Sequence, residues 1–516
     1  MSIANGQITA YEEVLYPAGV FPQAHPDRLA TIGTLRGMSP VTINSCRVLE
    51  MGCGTGNNLI AMASNLSGSE FIGVDLAKNA ITSGQALVAG LGLENIRLHH
   101  LDVCHLNRER FGRFDYIIAH GLYSWVPASV REHIVFACRE MLNPQGIAYI
   151  SYNAQPGNHL RDLSRGIMRY HVAHFEDPKE KIRQARGILK FLAESRVIAN
   201  PYVTALQAEF ERVVKRRDEV FFHDDLSEIN QAFYFEEFLT AAQRHSLQFL
   251  GEASPNELGP RNFAPAVITR LRELEGGSEI VREQYKDFFL GRAFRETLLC
   301  HEELRLAPDF LSEKVSELYC SCDAMSEAQD GDQSVLFRRH EGSEVRIKHP
   351  QIEAALKYLC ARWPCAVSFE AALDIAGPEP TGAPENISVV QALTALYKAG
   401  FIECHVTPPR VVNSVSKRPT SSNLARFQLQ CGEFTSNQLH KPVKFADPLS
   451  RQFILLLDGS RDKERIAREL TDFVKSRQSE IQESASMTDL DEFATSARRK
   501  VEEGLDTLAR GAMLVA

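Results

Sequence analysis

"CRVLEMGCGTGNNLIAMA" occupies residues 46–63. "CRVLEMG" reads as a strand and "NNLIAMASNL" as a helix, so Gly52, Gly54 and Gly56 form the turn between them. A phosphate-binding P-loop is excluded, because no lysine follows Gly56 to reach a phosphate. The dinucleotide fingerprint G-x-G-x-x-G is not met either, since Asn57 stands where its third glycine belongs. Glu50, at the end of the strand, would face a pyrophosphate unfavourably. It suits a ligand that presents an ammonium group there.

Working outward, "EFIGVDL", "NIRLHHLDV", "FDYIIAHG" and "GIAYISYN" read as strands, and "AKNAITSGQALVAGLGL" and "SVREHIVFACREML" as helices between them. Short Val- and Ile-rich strands alternating with helices predict a parallel, doubly wound α/β sheet. Asp75 and Asp102 close the second and third strands. S-adenosylmethionine fits this set, because it carries an ammonium and a sulfonium but no phosphate. Gly52 and Gly54 let the backbone approach the aminoacyl end at positive φ, with Cys53 and Asn57 in the same turn. Asp75, beside Leu76, is placed to bond the ribose hydroxyls, and Asp102 to take the adenine amino group with Val103 against the ring. His120 ends the fourth strand, beside the methyl group.

Composition sets the outer limits. The 516 residues call for two to four domains. A formal net charge of −9 disfavours a nucleic-acid partner. No apolar run approaches the roughly 18–20 residues of a membrane span. "MSIANGQITAYEEV" has neither a basic start nor an apolar core, so no secretory leader is expected. The 11 cysteines follow no zinc or redox spacing and read as free thiols of a cytoplasmic protein. His159, His171 and His174 lack metal-ligand spacing, so no metal is expected.

The expected division is a cap segment over 1–45 and the α/β domain over 46–253, with a helical insertion at about 156–234. A helical connector follows over 254–330, with the polar "SCDAMSEAQDGDQS" (321–334) as a linker. Two small winged-helix-like α+β modules complete the chain, over 331–412 and 423–516. Each shows a helix, a glycine and an apolar strand, as in "SVVQALTALYKAGFIECHV".

"VLEMGCGTGNN", "GVDL", "LDV" and "FDYIIAHG" resemble the motifs of class I methyltransferases. "YPAGVFPQAHPDRLATIGTLRGM", "FDYIIAHGLYSWVP", "YISYNAQPG", "FFHDDLSEINQAFYFEEF" and "LQFLGEA" resemble, more narrowly, the bacterial enzymes that carry a methyltransferase regulatory domain. That group includes rickettsial lysine methyltransferases acting on outer-membrane proteins. The resemblance covers about residues 10–310. It implies a Rossmann-like class I fold, S-adenosylmethionine as methyl donor, and a protein or peptide lysine as acceptor. It also implies that the segment before the first strand folds over the donor, with Tyr16, His25 and Arg28 as contacts.

Tyr123 and Trp125 follow the fourth strand and are the expected acceptor lining. Tyr152 and Asn153 follow the fifth and offer a hydroxyl and an amide. Asp224 or Asp225 is a candidate for drawing a cationic lysine to the cleft mouth. Two other readings stay open. One is the same chemistry on a small molecule or natural-product peptide. The other is a cofactor-sensing scaffold or binding protein. Oligomeric state is open, a homodimer included.

Overall fold

The computed structural model describes residues 14, 16–17, 19–195, 200–254, 265–328, 334–377, 388–476 and 487–515. Residues 1–13, on which the expectation of no leader rests, lie outside them, as do 329–333 of the expected linker.

Seven strands form the central sheet in the order β3-β2-β1-β4-β5-β7-β6. They are β1 Arg47–Met51, β2 Glu70–Asp75, β3 Ile96–His100, β4 Phe114–Ala119, β5 Leu142–Asn153, β6 Leu247–Glu252 and β7 Phe294–His301. The first five run parallel, while β7 lies antiparallel between β5 and β6. Helices α1 Pro26–Leu35, α2 Asn57–Asn65 and α3 Lys78–Leu91 precede β3, and α4 Ala128–Met141 joins β4 to β5. Strands buried on both faces need a core on each. One core holds Val48, Phe71, Tyr116, Ile118 and Tyr149, and the other holds Leu49, Ile72, Ile117, Tyr152 and Phe238. The strand period of two sends alternate residues to opposite cores. Every parallel strand therefore aims its C-terminal end at one edge of the sheet, where ligands of this architecture bind.

The antiparallel strand corrects the expected connector. "FRETLLCH" follows a helical run and reads as part of it, but Gly291 takes a left-handed conformation (φ 57°) and ends that helix, α11 Glu279–Leu290. The sheet domain therefore extends to His301.

The helical insertion leaves at the end of β5 as α5 Asn158–Val172, α6 Pro178–Glu194, α7 Pro201–Val214 and α8 Asp218–Asp225. Asp177 and Asn200 cap α6 and α7 by accepting from Glu180 N and Val203 N, each with a proline at the first helical position. The insertion has its own core around Met168, Leu189, Leu206 and Phe221. The chain returns through α9 Phe235–Gln243, and α10 Pro265–Glu275 precedes α11.

The expected linker is also corrected. Ala324–Ala328 is strand β9, paired with β10 Val335–Arg339, which pairs with β11 Glu344–Ile347. Strand β8 Tyr319–Ser321 lies between β12 Val367–Ser368 and β13 Glu403–His405. Its middle module thus begins before residue 331 and packs these strands on α12 Pro350–Arg362, α13 Phe369–Ala376 and α14 Val389–Lys398. The last unit holds α15 Asn423–Cys431, the hairpin β14 Phe434–Ser436 and β15 Pro442–Lys444, then α16 Pro448–Leu456, α17 Lys463–Ser476 and α18 Met487–Arg510.

Both distal units touch the sheet domain. Asp27 on α1 accepts from His405 Nδ1 (2.7 Å) and Thr407 N (3.1 Å) of the middle module. Phe427 of α15 lies against Gly90 of α3, where a Cβ would come within 2.5 Å of its ring.

Candidate active site

The turn after β1 is built from backbone donors. Gly52, Gly54 and Gly56 all adopt left-handed φ (72°, 55° and 75°), which a side chain would strain. Gly52 N and Cys53 N donate to Val74 O, which fastens the turn to β2. Asp75 completes the join, its two carboxylate oxygens accepting from Gly54 N and Ala77 N, each at 2.8 Å. Burial holds the Asp75 carboxyl above its usual range. Above the turn there is room, since a Cβ added at Gly54 or at Gly121 would meet no atom within 4 Å.

Glu50 is 3% exposed. Its Oε1 accepts from Asn58 Nδ2 (2.8 Å), while its buried Oε2 has no hydrogen-bond partner among the described residues. Burial pushes this carboxyl up to about 8, against the pull of the Asn58 hydrogen bond, and the Asp75 charge adds to the rise. A buried carboxylate oxygen without a partner is costly unless a cation or donor meets it. Asp102 caps the turn after β3 through Oδ1, which accepts from Cys104 N (2.9 Å).

Across the edge, His120 follows β4. Its ring stacks on Phe21 at 3.7 Å, and its Nδ1 lies 2.8 Å from the Tyr149 hydroxyl. Tyr149 donates on to Glu296 Oε1 (3.2 Å), and Ser254 donates to Glu296 Oε2 (2.9 Å). Burial lowers His120 to about 4 and raises Glu296, so the imidazole is neutral at pH 7. Gly121 N donates to Ser151 Oγ (2.7 Å), tying the tips of β4 and β5 together.

Three family models match this chain. A methyltransferase domain matches residues 48–146, a predicted methyltransferase regulatory domain 217–301, and the C-terminal winged helix domain of PKMT 417–513. Uncharacterized protein RP028 of Rickettsia prowazekii is 36% identical over 242 residues, which is 47% of this chain and 96% of that protein. The chain belongs to the class I methyltransferases that carry a regulatory domain. Uncharacterized protein RP789 of the same organism is 38% identical over 312 residues, 59% of this chain, which spans 56% of that relative's length. The solved structure of PKMT2 from Rickettsia typhi has a TM-score of 0.84 at 26% identity, over 97% of this chain and 100% of that one. A structure of the same protein in complex with AdoHcy gives 0.83 at 25% identity, with the same coverage.

The residues of this methyltransferase fit its donor, S-adenosylmethionine. The unpartnered Glu50 Oε2 suits the ammonium, and the open space over Gly54 suits the aminoacyl chain. Asp75 and Asp102, at the adjoining strand tips, would hold the sugar and base. Leu76 (38% exposed) and the half-buried Val103 flank them as apolar surfaces. The bound donor supplies an electrophilic methyl group.

Of the other expected contacts, Cys53 stays in the turn, while Asn57, Tyr16, His25 and Arg28 bond or pack against other neighbours. Asn57 faces α15 of the last unit, where Gln428 Nε2 reaches its Oδ1 at 3.5 Å, and its neighbour Asn58 is the residue bonded to Glu50. Tyr16 packs on the insertion, 5.7 Å from the His223 ring, and not on the glycine turn. His25 caps α1 by accepting from Asp27 N (3.2 Å), and Arg28 donates to Ala253 O (3.4 Å). Cys53 is fully engaged in the turn, its thiol raised by burial.

On the acceptor side Tyr123 (4% exposed) and Tyr152 (0%) are core residues against Phe233 and Phe238. Tyr152 lies on the opposite face of the sheet from Tyr149, because three residues along β5, an odd step, separate them. Asn153 is buried and donates to Asn230 Oδ1 (2.6 Å). Trp125 alone of the four is partly exposed. Asp225 is 1% exposed and paired with Arg212 (2.7 Å) and Arg216 (3.2 Å), and Asp224 with Arg216 (2.8 Å), so neither carboxylate stands ready for a lysine. Phe21, Tyr149, Ser254 and Glu296 went unread because they come from four segments that meet only in the fold.

Proposed function

We propose that this methyltransferase acts on the side-chain amine of lysine in a protein or peptide. One observation carries the reading: the likeness to PKMT2 extends over 97% of this chain, both distal units included. A small-molecule enzyme has no evident need of that much additional surface. The chemistry of the edge is compatible. Methyl transfer is an in-line displacement, so the amine must be neutral, held in line with the methyl carbon and sulfur, and screened from water. With a reference pKa of ~10.4, about one lysine in 2,500 is neutral at pH 7. Burial and the nearby sulfonium charge both favour loss of that proton. The neutral His120 imidazole, the Tyr149 hydroxyl and the Glu296 carboxyl offer a polar wall for the incoming nitrogen, and Trp125 an aromatic face at its rim.

The test is to incubate the enzyme with methyl-labelled S-adenosylmethionine and a protein extract, then hydrolyse and separate the amino acids. Label in methylated lysine is expected. Label confined to small molecules would transfer the reading to a metabolite acceptor. Label released as methanol on hydrolysis, the mark of a methyl ester, or label in arginine would keep the protein acceptor but change the atom.

A further inference from the structure

We infer that His440, in the C-terminal winged-helix unit, is a positioning residue of the donor site: it fixes Asn58, which in turn orients the Glu50 carboxylate toward the donor's ammonium.

Asn58 is 3% exposed and uses its amide fully. Its Nδ2 donates to Glu50 Oε1 (2.8 Å), so its Oδ1 is the acceptor end. That oxygen accepts from Phe21 N (3.0 Å) and from His440 Nε2 (2.8 Å). The amide cannot rotate without losing all three bonds. His440 lies 382 positions along the chain from Asn58 and is 3% exposed. Because Asn58 Oδ1 is an acceptor, His440 carries its proton on Nε2. Its Nδ1 is buried without a partner among the described residues.

The winged-helix unit is built to present this ring. His440 has a positive φ (55°), a strained state for a residue with a side chain. Asn437 holds the turn, its Oδ1 accepting from Leu439 N (3.0 Å) and Lys441 N (2.9 Å), while its own Nδ2 donates to Gly511 O (2.9 Å). Strain of this kind persists where the surroundings over-determine it, and it clusters at functional sites. The His25 ring, 5.1 Å away, closes the other side, so the imidazole meets α1, α2 and the winged helix at once. The titratable groups facing Glu50 are Asp75 and Cys53, and the one facing His440 is His25.

His440→Ala in the full chain tests this, with S-adenosylhomocysteine as the probe and calorimetry as the readout. The expected result is about tenfold weaker binding, the loss of one buried hydrogen bond and the order it imposes. His440→Gln, which retains an N–H donor at the end of the side chain, should recover most of that loss. The Asn58→Ala variant should be weakened to a similar degree, and adding His440→Ala to it should change little further. A pH series separates positioning from packing. The midpoint of affinity against pH should move upward in His440→Ala, because Glu50 loses its oriented donor, whereas the ligand's own amine titrates equally in both proteins. Unchanged affinity with an unchanged pH midpoint would overturn the inference. So would a loss that His440→Gln does not restore, or losses at His440 and Asn58 that simply add. Because the readout is donor binding, its failure leaves the lysine reading untouched.

Discussion

The two halves of the central sheet handle buried charge in opposite ways. In the β3-β2-β1 half, Glu50 is buried with one oxygen satisfied by Asn58 and the other left without a partner. In the β5-β7-β6 half, Arg295 is fully buried and saturated. It meets Asp287 with two bonds (2.8 and 2.9 Å), Glu252 Oε1 (2.6 Å) and Glu283 O (3.0 Å), and its guanidinium lies 4.0 Å from the centre of the Phe235 ring. A closed network spends its charges on itself and fixes how β6, β7 and α11 meet. An open one holds a charge in reserve for a ligand. The difference teaches that a buried charge whose bonds are met is already committed, whereas one with an unmet bond can still take a partner.

The largest expected effect comes from breaking the closed network. Arg295→Ala takes the central cation from Asp287, Glu252 and Glu283 and leaves them to Arg292, 3.0 Å from Asp287 and 3.6 Å from Glu252, and to Lys286, 2.5 Å from Glu283, which should cost about 3–5 kcal/mol of stability. Chemical denaturation measures this. In the fraction that stays folded, affinity for S-adenosylhomocysteine should hardly change. A large loss of affinity at unchanged stability would mean that the network belongs to the binding site, and the contrast between the halves would fail.

Glu50→Gln is the converse. It should weaken S-adenosylhomocysteine binding by about 1.5–3 kcal/mol, roughly 10- to 150-fold, through loss of a charge-assisted bond. Unfolding without ligand should shift little, or toward greater stability near pH 8. A variant that binds normally would place the ammonium elsewhere.

The sequence made the open half readable and hid the closed one. Glu50, the glycine turn and Asp75 lie within 26 residues, on consecutive elements whose strand ends the hydrophobic pattern marks. The sheet as far as β5 followed from the same pattern. Arg295 reads as a surface residue of a charged helix, because nothing nearby reveals that Asp287, Glu252 and Glu283 converge on it. The wall of His120, Tyr149 and Glu296 was hidden in the same way. Tyr149 and Tyr152 stand in one strand and look alike in sequence, but an odd spacing sends them to opposite faces. Of the expected cap contacts, His25 sits against the C-terminal unit, a neighbour that no local pattern announces.

The pH dependence of the open half follows from its sign. Folding without ligand raises the Glu50 pKa to about 8, first through burial, so the folded state binds a proton more tightly than the unfolded one. This group's contribution is therefore lost as pH rises from the ordinary carboxyl range, about 4.5, through about 8. A ligand ammonium that pairs with the carboxylate removes the penalty. The rise in melting temperature on adding S-adenosylhomocysteine should grow between pH 6 and pH 8 in the natural protein, and should be flatter in Glu50→Gln. Equal growth in both proteins would assign the titration to the ligand's amine alone.

The smallest effect sharpens the comparison at the boundary between the halves. Tyr152 donates to Thr297 Oγ1 (3.1 Å), whose own proton goes to Glu252, and stacks on Phe238 at 4.1 Å. Tyr152→Phe keeps the stacking and should cost about 0.5–1.5 kcal/mol of stability, with turnover and donor affinity unchanged. Trp125→Ala, at the partly exposed rim, should do the opposite: little change in stability and a raised KM for a protein acceptor. If Tyr152→Phe instead lowered kcat at full stability, its hydroxyl would have to reach the reacting groups through Thr297, whose Oγ1 donates to Glu252 Oε1 (2.8 Å). Glu252 Oε2 accepts from Glu296 N (3.0 Å), so the closed network would then be coupled to the polar wall through the backbone of β7, and the two halves would no longer be separable.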